Sequence, residues 1–361
     1  MSITQKDIAR DLGVSIITVS RALNNTGYVS PRLRKRINEY VKKKSYMPNR
    51  ASQVLVRNKT RIVSLFSSVN PDYFWGDIRK GAELAGTLIR HFNYEVHFHN
   101  IPDFDSARFK KVLRGEIKNG LSAAGFVNQW YYDMNALAEM LEAEGIPYIF
   151  YNVDHPGTAR LCYIGPDYHA AGRLAANYIG KALELKKGGT VVAVNLIEDM
   201  EKHPILLPDI NSMRLTGFIE KMKQDYPAVR CVNENIYAKS KRSYSLQTRS
   251  ILRSYRDEAD AFYMIPSFNA VFMEEMERGD CRKAITLLHD VDGSSLRGLE
   301  SGTLTAVVYQ NPVLQGYTAV KTLEKILESR ERRVLPDIEV GHTLVFRENT
   351  SFLQNQFLLS E

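Results

Sequence analysis

At 361 residues, with 44% hydrophobic and 25% charged side chains, the chain has an ordinary globular composition and exceeds what one compact core holds. No apolar run approaches the ~20 residues needed to span a bilayer. The N-terminus lacks the basic start and apolar stretch of a secretory leader, so a cytoplasmic protein without membrane attachment is expected. Charge is uneven: residues 1–61 carry 14 Lys/Arg against 3 Asp/Glu, a net of +11, whereas the other 300 carry 34 against 38. A basic module on a near-neutral body is the electrostatic footprint of a nucleic-acid binder. A solvated basic tail has the same charge but not the helical patterning found here. Three cysteines, Cys162, Cys231 and Cys281, lie far apart with no CxxC pair, which argues against a disulfide framework or structural zinc.

Three short helices are predicted in the first 48 residues. Thr4 and Asp7 have capping-box spacing, Ile8 and Leu12 share a face, and Gly13 stops the run. Ser15 is the expected N-cap of a second helix that turns Val19, Ala22 and Leu23 inward. Ser30-Pro31 opens a third, with Leu33, Ile37 and Val41 in a stripe and Pro48 as its end. Only Gly13-Val14-Ser15 separates the first two helices, which is the tight turn of a helix-turn-helix.

DIA (7–9), GVS (13–15), TVSRAL (18–23), YVS (28–30) and the Y-x-P-N of residues 46–49 together resemble the headpiece of the lactose-repressor (LacI/GalR) family of transcription regulators. In such a module the second helix enters the major groove. The resemblance implies base reading by Ile16, Ile17 and Arg21. Arg21 can donate two hydrogen bonds to guanine, and the isoleucines can touch thymine methyl groups. Ile16 and Ile17 could instead be core residues. Ser15, Thr18, Ser20 and Asn24 are implied to hold phosphates, and Thr4, Asn49 and Arg50 to contact DNA. Residues 49–55 match the family's hinge helix. There Leu55 would wedge between base steps of the minor groove, or else be an ordinary linker leucine. So short a helix is unstable alone, so its folding is expected to be coupled to binding.

From Thr60 the pattern alternates strand and helix. Strands are predicted at 62–66, 95–98, 124–127 and 148–151, with helices at 75–92, 106–118 and 135–144. After Asp167 the series restarts: helix to about 185, strand 190–196, helix 212–224, strand 229–236, helix 244–255, and strands 261–265 and 284–289. Two such lobes mean doubly wound parallel sheets with ligand at the carboxyl ends of the strands. NPDYFW (70–75), GIPYIFYNVD (145–154), YIGPDYHAAGRLAANYI (163–179), SMRLTGF (212–218) and TAVVYQNPVLQGYTAV (305–320) resemble the periplasmic-binding-protein-like sensing domain of the same family.

The fold expected is thus a three-helix headpiece (1–48), a hinge and linker (49–61) and a two-lobed α/β domain (62–361). Lobe one is expected at 62–162 and 293–325, lobe two at 163–292 and 326–361. The resemblance implies effector contacts from Tyr73, Phe74, Trp75, Asp167, Arg214 and Gln310, a set suited to stacking on a sugar and satisfying its hydroxyls. Each has a plainer reading: one or two of the aromatics pack under the lobe, Asp167 caps a helix, Arg214 pairs with a surface carboxylate. Pro266-Ser267 stands where many relatives have Asn-Asp, so Asn269, Asp290 or Asp292 would have to supply the missing hydroxyl-binding group. The insertion-like stretch 198–210 could reshape the cleft mouth.

No GxGxxG, P-loop, HExxH or GxSxG is present, so neither an enzyme nor a bound cofactor is expected. His97 and His99 would share one face of a strand, but no third ligand at metal spacing accompanies them, and no metal site is expected. A palindrome read by two headpieces implies a homodimer on double-stranded DNA, responding to a sugar-like effector. A solute-binding protein is disfavoured by the basic headpiece, and a sugar- or nucleoside-active enzyme by the missing base and nucleophile.

Overall fold

A computed structural model of the chain describes residues 3–24, 27–44, 60–129, 131–197, 210–237, 240–266, 269–278, 284–329 and 333–355. The chain divides at Thr60–Arg61 into two compact units. The predicted hinge, with Asn49, Arg50 and Leu55, lies outside the described residues, as does most of the 198–210 stretch.

The N-terminal unit consists of α1 (Gln5–Leu12), α2 (Ile16–Asn24) and α3 (Pro31–Lys43). The capping box forms: the Thr4 N–H donates to the Asp7 carboxylate at 3.0 Å, and the Asp7 N–H to the Thr4 hydroxyl at 3.3 Å. Gly13 adopts φ +65°, the left-handed conformation that ends α1 and that a side chain would strain. Ser15 starts α2 by accepting from the Thr18 N–H at 3.0 Å, and Ser30 starts α3, with Pro31 in its first turn, by accepting from Leu33. Ile8, Ala9, Leu12, Val19, Ala22, Val29 and Ile37 form the core. Each of its larger side chains contributes ~1.5–3 kcal/mol on burial. The Tyr40 hydroxyl donates to Asp11 and so ties α3 to α1.

The C-terminal unit holds two six-stranded sheets. Strands β1 (Arg61–Ser68), β2 (Tyr94–Ile101), β3 (Leu121–Phe126), β4 (Tyr148–Tyr151) and β5 (Tyr163–Gly165) belong to the first. They alternate with α4 (Asp72–Arg90), α5 (Ser106–Lys118) and α6 (Met134–Ala143). After α7 (Tyr168–Glu184) the second sheet begins: β6 (Gly189–Leu196), α8 (Ile210–Asp225), β7 (Val229–Ile236), α9 (Lys241–Ser254), β8 (Ala261–Met264), α10 (Asn269–Arg278), β9 (Ile285–His289), α11 (Gly293–Ser301) and β10 (Ala306–Tyr309). The chain then makes α12 (Pro312–Glu328), β11 (Ile338–Glu339) and β12 (Thr343–Val345).

The strand orders are β11-β5-β4-β3-β1-β2 and β12-β10-β9-β8-β6-β7. All pairings are parallel except β10 with β12. This corrects the expected lobe boundaries. Residues 293–310 belong to lobe two, because β10 pairs with β9 and Leu299 and Leu304 pack in that lobe's core. Residues 163–165, 326–329 and 333–340 belong to lobe one, because β5 pairs with β4 and β11 with β5. The chain therefore crosses between lobes three times: after Gly165, after Tyr309 and after Glu339.

Each lobe holds one close helix pair built on two glycines. A Cβ on Gly81 of α4 would lie 1.9 Å from the Val313 carbonyl oxygen, and one on Gly316 of α12 1.9 Å from that of Ile78. In lobe two a Cβ on Gly172 of α7 would lie 1.9 Å from the Arg214 carbonyl oxygen, and one on Gly217 of α8 2.1 Å from that of His169. The sheets are sandwiched: in lobe two one apolar cluster contains Val191, Ala193 and Tyr263, and the other Val192, Val194 and Phe262. Neighbouring strand residues thus point to opposite faces, both covered.

Candidate functional site

In the N-terminal unit, α2 carries two different faces. Val19 and Ala22 are fully buried, while Ile16 is 47% and Ile17 63% exposed. The core alternative for the two isoleucines is therefore ruled out: the helix already has its buried stripe, and they begin the opposite face. Arg21, one turn on, is exposed, with its side chain alongside Gly27. Ser15 and Thr18 share a hydroxyl contact of 2.8 Å at the start of the helix, and Ser20 is half-buried. Thr4 is engaged in its capping box. The side chain of Asn24 is outside the described residues. The free N–H groups of a helix N-terminus, next to hydroxyls and an arginine, suit a polyanion.

In the C-terminal unit the second candidate site lies at the carboxyl ends of the strands. Arg214, in the first turns of α8, is buried. Its Nη1 donates to the Ile265 carbonyl at 3.2 Å, Nη2 lies 3.9 Å from Asp290 Oδ2, and the guanidinium stands 5.3 Å over the Tyr168 ring. Among the described residues Arg214 therefore pairs with the buried Asp290 and with no surface carboxylate. Asp290 follows β9 at φ +63° and accepts from Gln310 Nε2 at 2.6 Å. Gln310, just after β10, takes this into lobe one: Asn152 Nδ2 donates to Gln310 Oε1 at 3.3 Å and to Gln315 Oε1 at 3.0 Å. The Asn152 carbonyl accepts from the hydroxyls of Tyr163 and Tyr168. A buried polar chain thus links the lobes along the crossovers.

Tyr73 is half-buried after β1. Burial raises its pKa, as do the negative charges of Asp290 and Asp292, against the opposing field of Arg214. Tyr73 of lobe one thus lies within electrostatic reach of Arg214 and Asp290 of lobe two. Phe74 and Trp75 are buried instead, edge to face at 5.0 Å, with the Trp75 indole N–H donating to the Asn70 carbonyl at 2.8 Å. Two of the three aromatics thus pack under the lobe, the plainer reading given for one or two of them. Asp167 is an N-cap, its Oδ1 accepting from Ala170 at 3.0 Å, yet it is exposed and its charge is felt by His342. Asp292 caps α11. The side chain of Asn269 is outside the described residues, as is Ser267.

Sequence reasoning missed Asn152, Tyr168, Gln315 and His342. The first three were inside quoted motifs, and no pattern set them apart from packing residues. His342 lies on the third crossover, where burial and then the positive charge of Arg214 lower its pKa to about 4. Below the site the Tyr263 hydroxyl and His289 Nε2 are 2.6 Å apart. The convergence offers a guanidinium, a carboxylate, amides and a phenol: donors and acceptors for a small ligand rich in hydroxyls.

The expectation that His97 and His99 lack a third partner is also corrected. Glu116 of α5 closes on both, with His97 Nδ1 2.8 Å from its Oε2 and His99 Nε2 3.5 Å from its Oε1.

Residues 4–49 match the family of bacterial regulatory proteins described as the lacI family, and residues 62–331 match the periplasmic binding protein domain. The chain belongs to the lacI family. As a lacI-family member it is a ligand-responsive transcription regulator. It is 22% identical over 321 residues to catabolite control protein A of Staphylococcus epidermidis, covering 82% of this chain and 91% of that one. Its fold is that of a Bacteroides fragilis protein described as a LacI transcriptional regulator, with a TM-score of 0.69 and 20% identity over 81% of this chain and 99% of that one. It is also that of GanP, a glucose-galactose binding protein from Geobacillus stearothermophilus, with a TM-score of 0.64 and 19% identity over 81% and 99%. No described helix of this regulator is long and apolar enough to cross a membrane.

Proposed function

We propose that this lacI-family regulator is a cytoplasmic repressor that binds a palindromic operator as a homodimer, and that a sugar-class effector in the cleft controls the binding. Residues 1–48 act as the DNA-binding domain, and residues 49–61 as hinge and linker. Each copy lays α2 in the major groove, where Ile16, Ile17 and Arg21 read bases. Thr4, Ser15, Thr18, Ser20, Asn24, Asn49 and Arg50 hold phosphate and sugar, and Leu55 wedges the minor groove. The observation that carries the reading is the exposed Ile16–Ile17 pair on a helix whose opposite face is already buried. Two adjacent apolar side chains facing water beside an exposed arginine suit base edges and thymine methyl groups.

Effector binding would use Tyr73 as a stacking face, Arg214 and Asp290 for hydroxyls, and Gln310, Asn269 and Asp167 at the margin. The buried Asn152–Gln310–Asp290 chain spans the lobes, so a ligand bridging Tyr73 and Asp290 changes their angle, and with it the spacing of two hinges. What the effector shifts is a difference of affinities between two states. Solved structures of this fold described as a glucose-galactose binding protein and an arabinose binding protein support the sugar class.

The test is thermal denaturation of the full chain with pentoses, hexoses, sugar phosphates and polyols at concentrations far above binding. Saturating ligand at about 100 times its dissociation constant stabilises by ~2.7 kcal/mol. At least one sugar is expected to raise Tm, and Tyr73→Ala to abolish that rise. A panel that leaves Tm unmoved overturns the sugar reading.

A further inference from the structure

We propose that His97, His99 and Glu116 form a binding site for a divalent transition metal of the zinc class on lobe one, with three protein ligands and an open fourth position. β2 is the edge strand of the first sheet, and residues two apart on a strand share a face, so both imidazoles point the same way. That face is covered by α5, which brings Glu116 between them. The ligand atoms of the three residues lie within 4.8 Å of one another.

The distances suit an ion. Zinc bound at ~2.0–2.2 Å in a tetrahedron sets its ligand atoms roughly 3.4 Å apart. His99 Nε2 already lies 3.5 Å from Glu116 Oε1. That nitrogen is buried and, among the described residues, has no partner closer than this long contact, a condition that costs free energy unless a better partner arrives. His97 Nδ1 sits closer, at 2.8 Å from Oε2, the length of a hydrogen bond in the metal-free protein. A cation displaces the shared proton to solvent and opens that contact by a small turn of the carboxylate.

Neighbouring side chains already hold these three in position. Glu95 Oε1 lies 3.0 Å from His97 Nε2, the carboxylate–imidazole pairing that orients a metal-binding histidine. The Ser64 hydroxyl donates to Glu116 Oε2 at 2.6 Å, and Phe66 stacks on His99 at 5.0 Å. Glu116 is buried, and the groups contacting it are Ser64 and the two histidines. A buried carboxylate facing two imidazoles favours one divalent charge. Two nitrogens and one carboxylate exclude calcium and magnesium, which take all-oxygen shells, and favour zinc and its first-row neighbours. Nothing in the DNA or effector reading depends on this site, so either can fail alone.

The experiment uses the full chain stripped with chelator. Cobalt(II) is titrated with visible absorption as readout, and zinc by competition with a chromophoric chelator. One equivalent per chain is expected, with the intense visible bands of a four-coordinate nitrogen–oxygen site. His99→Asn and Glu116→Gln should each weaken zinc binding at least about tenfold. His169→Asn, which removes a separate His–Glu pair 2.8 Å long, should leave it unchanged. Should Glu116→Gln fail to fold, His99→Asn carries the result, because that ring nitrogen touches Glu116 only at 3.5 Å and has little to lose. Absence of cobalt bands, a thiolate charge-transfer band, or zinc affinity indifferent to His99→Asn each overturns the proposal.

Discussion

Arg214 shows how one buried charge organises its surroundings. Its guanidinium is held by a backbone carbonyl, an aromatic face and a carboxylate at 3.9 Å. The same charge acts on two histidines. For His289, burial and then Arg214 put the pKa well below the ordinary value, and for His342 they lower it from 6.5 to about 4. Both rings are neutral in the folded protein at pH values where the unfolded chain takes up protons. Stability is therefore fully present above about pH 6.5 and is lost as pH falls towards 4, because the unfolded state then binds more protons. His342 alone accounts for at most on the order of 3 kcal/mol over that window. Urea melts of the full chain between those limits should show the loss, and His342→Gln should flatten only part of it, since burial also lowers the pKa of His289, His99 and His155. A variant whose stability falls as steeply as the parent's would remove His342 from the account.

Among the helices, the two faces of α2 and the paired glycines matter most. The SMRLTGF segment works as a packing device as much as a source of Arg214. Gly217 lets α8 touch the backbone of α7, Phe218 fills the core, and Gly172 accepts the Arg214 carbonyl in return. Gly172→Ala would drive a methyl into that carbonyl. It should destabilise by ~1–3 kcal/mol or more and shift Arg214, so that effector-induced stabilisation shrinks as well. Gly115→Ala, on a helix with nothing within 4 Å of the new carbon, should instead be neutral or stabilise by up to about 1 kcal/mol. Chemical denaturation of both variants measures the contrast. Equal effects would mean that the α7–α8 contact tolerates separation.

Taken whole, the molecule keeps its charge and its sensing apart. Residues 1–61 hold the entire positive excess, and the body is close to neutral. Retention of the full chain on duplex DNA should fall steeply as salt rises from about 50 to 200 mM. Residues 62–361 alone should show none at any salt. Binding that survives the truncation would place the contact surface elsewhere. The three crossovers, after Gly165, Tyr309 and Glu339, are where a change of lobe angle must be absorbed, and the Asn152–Gln310 contact lies beside two of them.

The headpiece and the strand–helix alternation were legible in the sequence because they rest on near neighbours. Capping at three residues' distance, stripes at three and four, and alternation at two survive without tertiary information. Ser30-Pro31, Thr4 with Asp7 and the 106–118 helix formed where the pattern put them. The exposure of Ile16 and Ile17 required the packed core, since composition alone allowed them inside. Which lobe owns residues 293–310 or 333–340 depends on pairing with strands far along the chain, and β11 is two residues long, too short to carry any period. For the same reason Asn152 meeting Gln315, and Glu116 closing on His97 and His99, were invisible: strand order brings together groups that the chain keeps 17 to 163 residues apart.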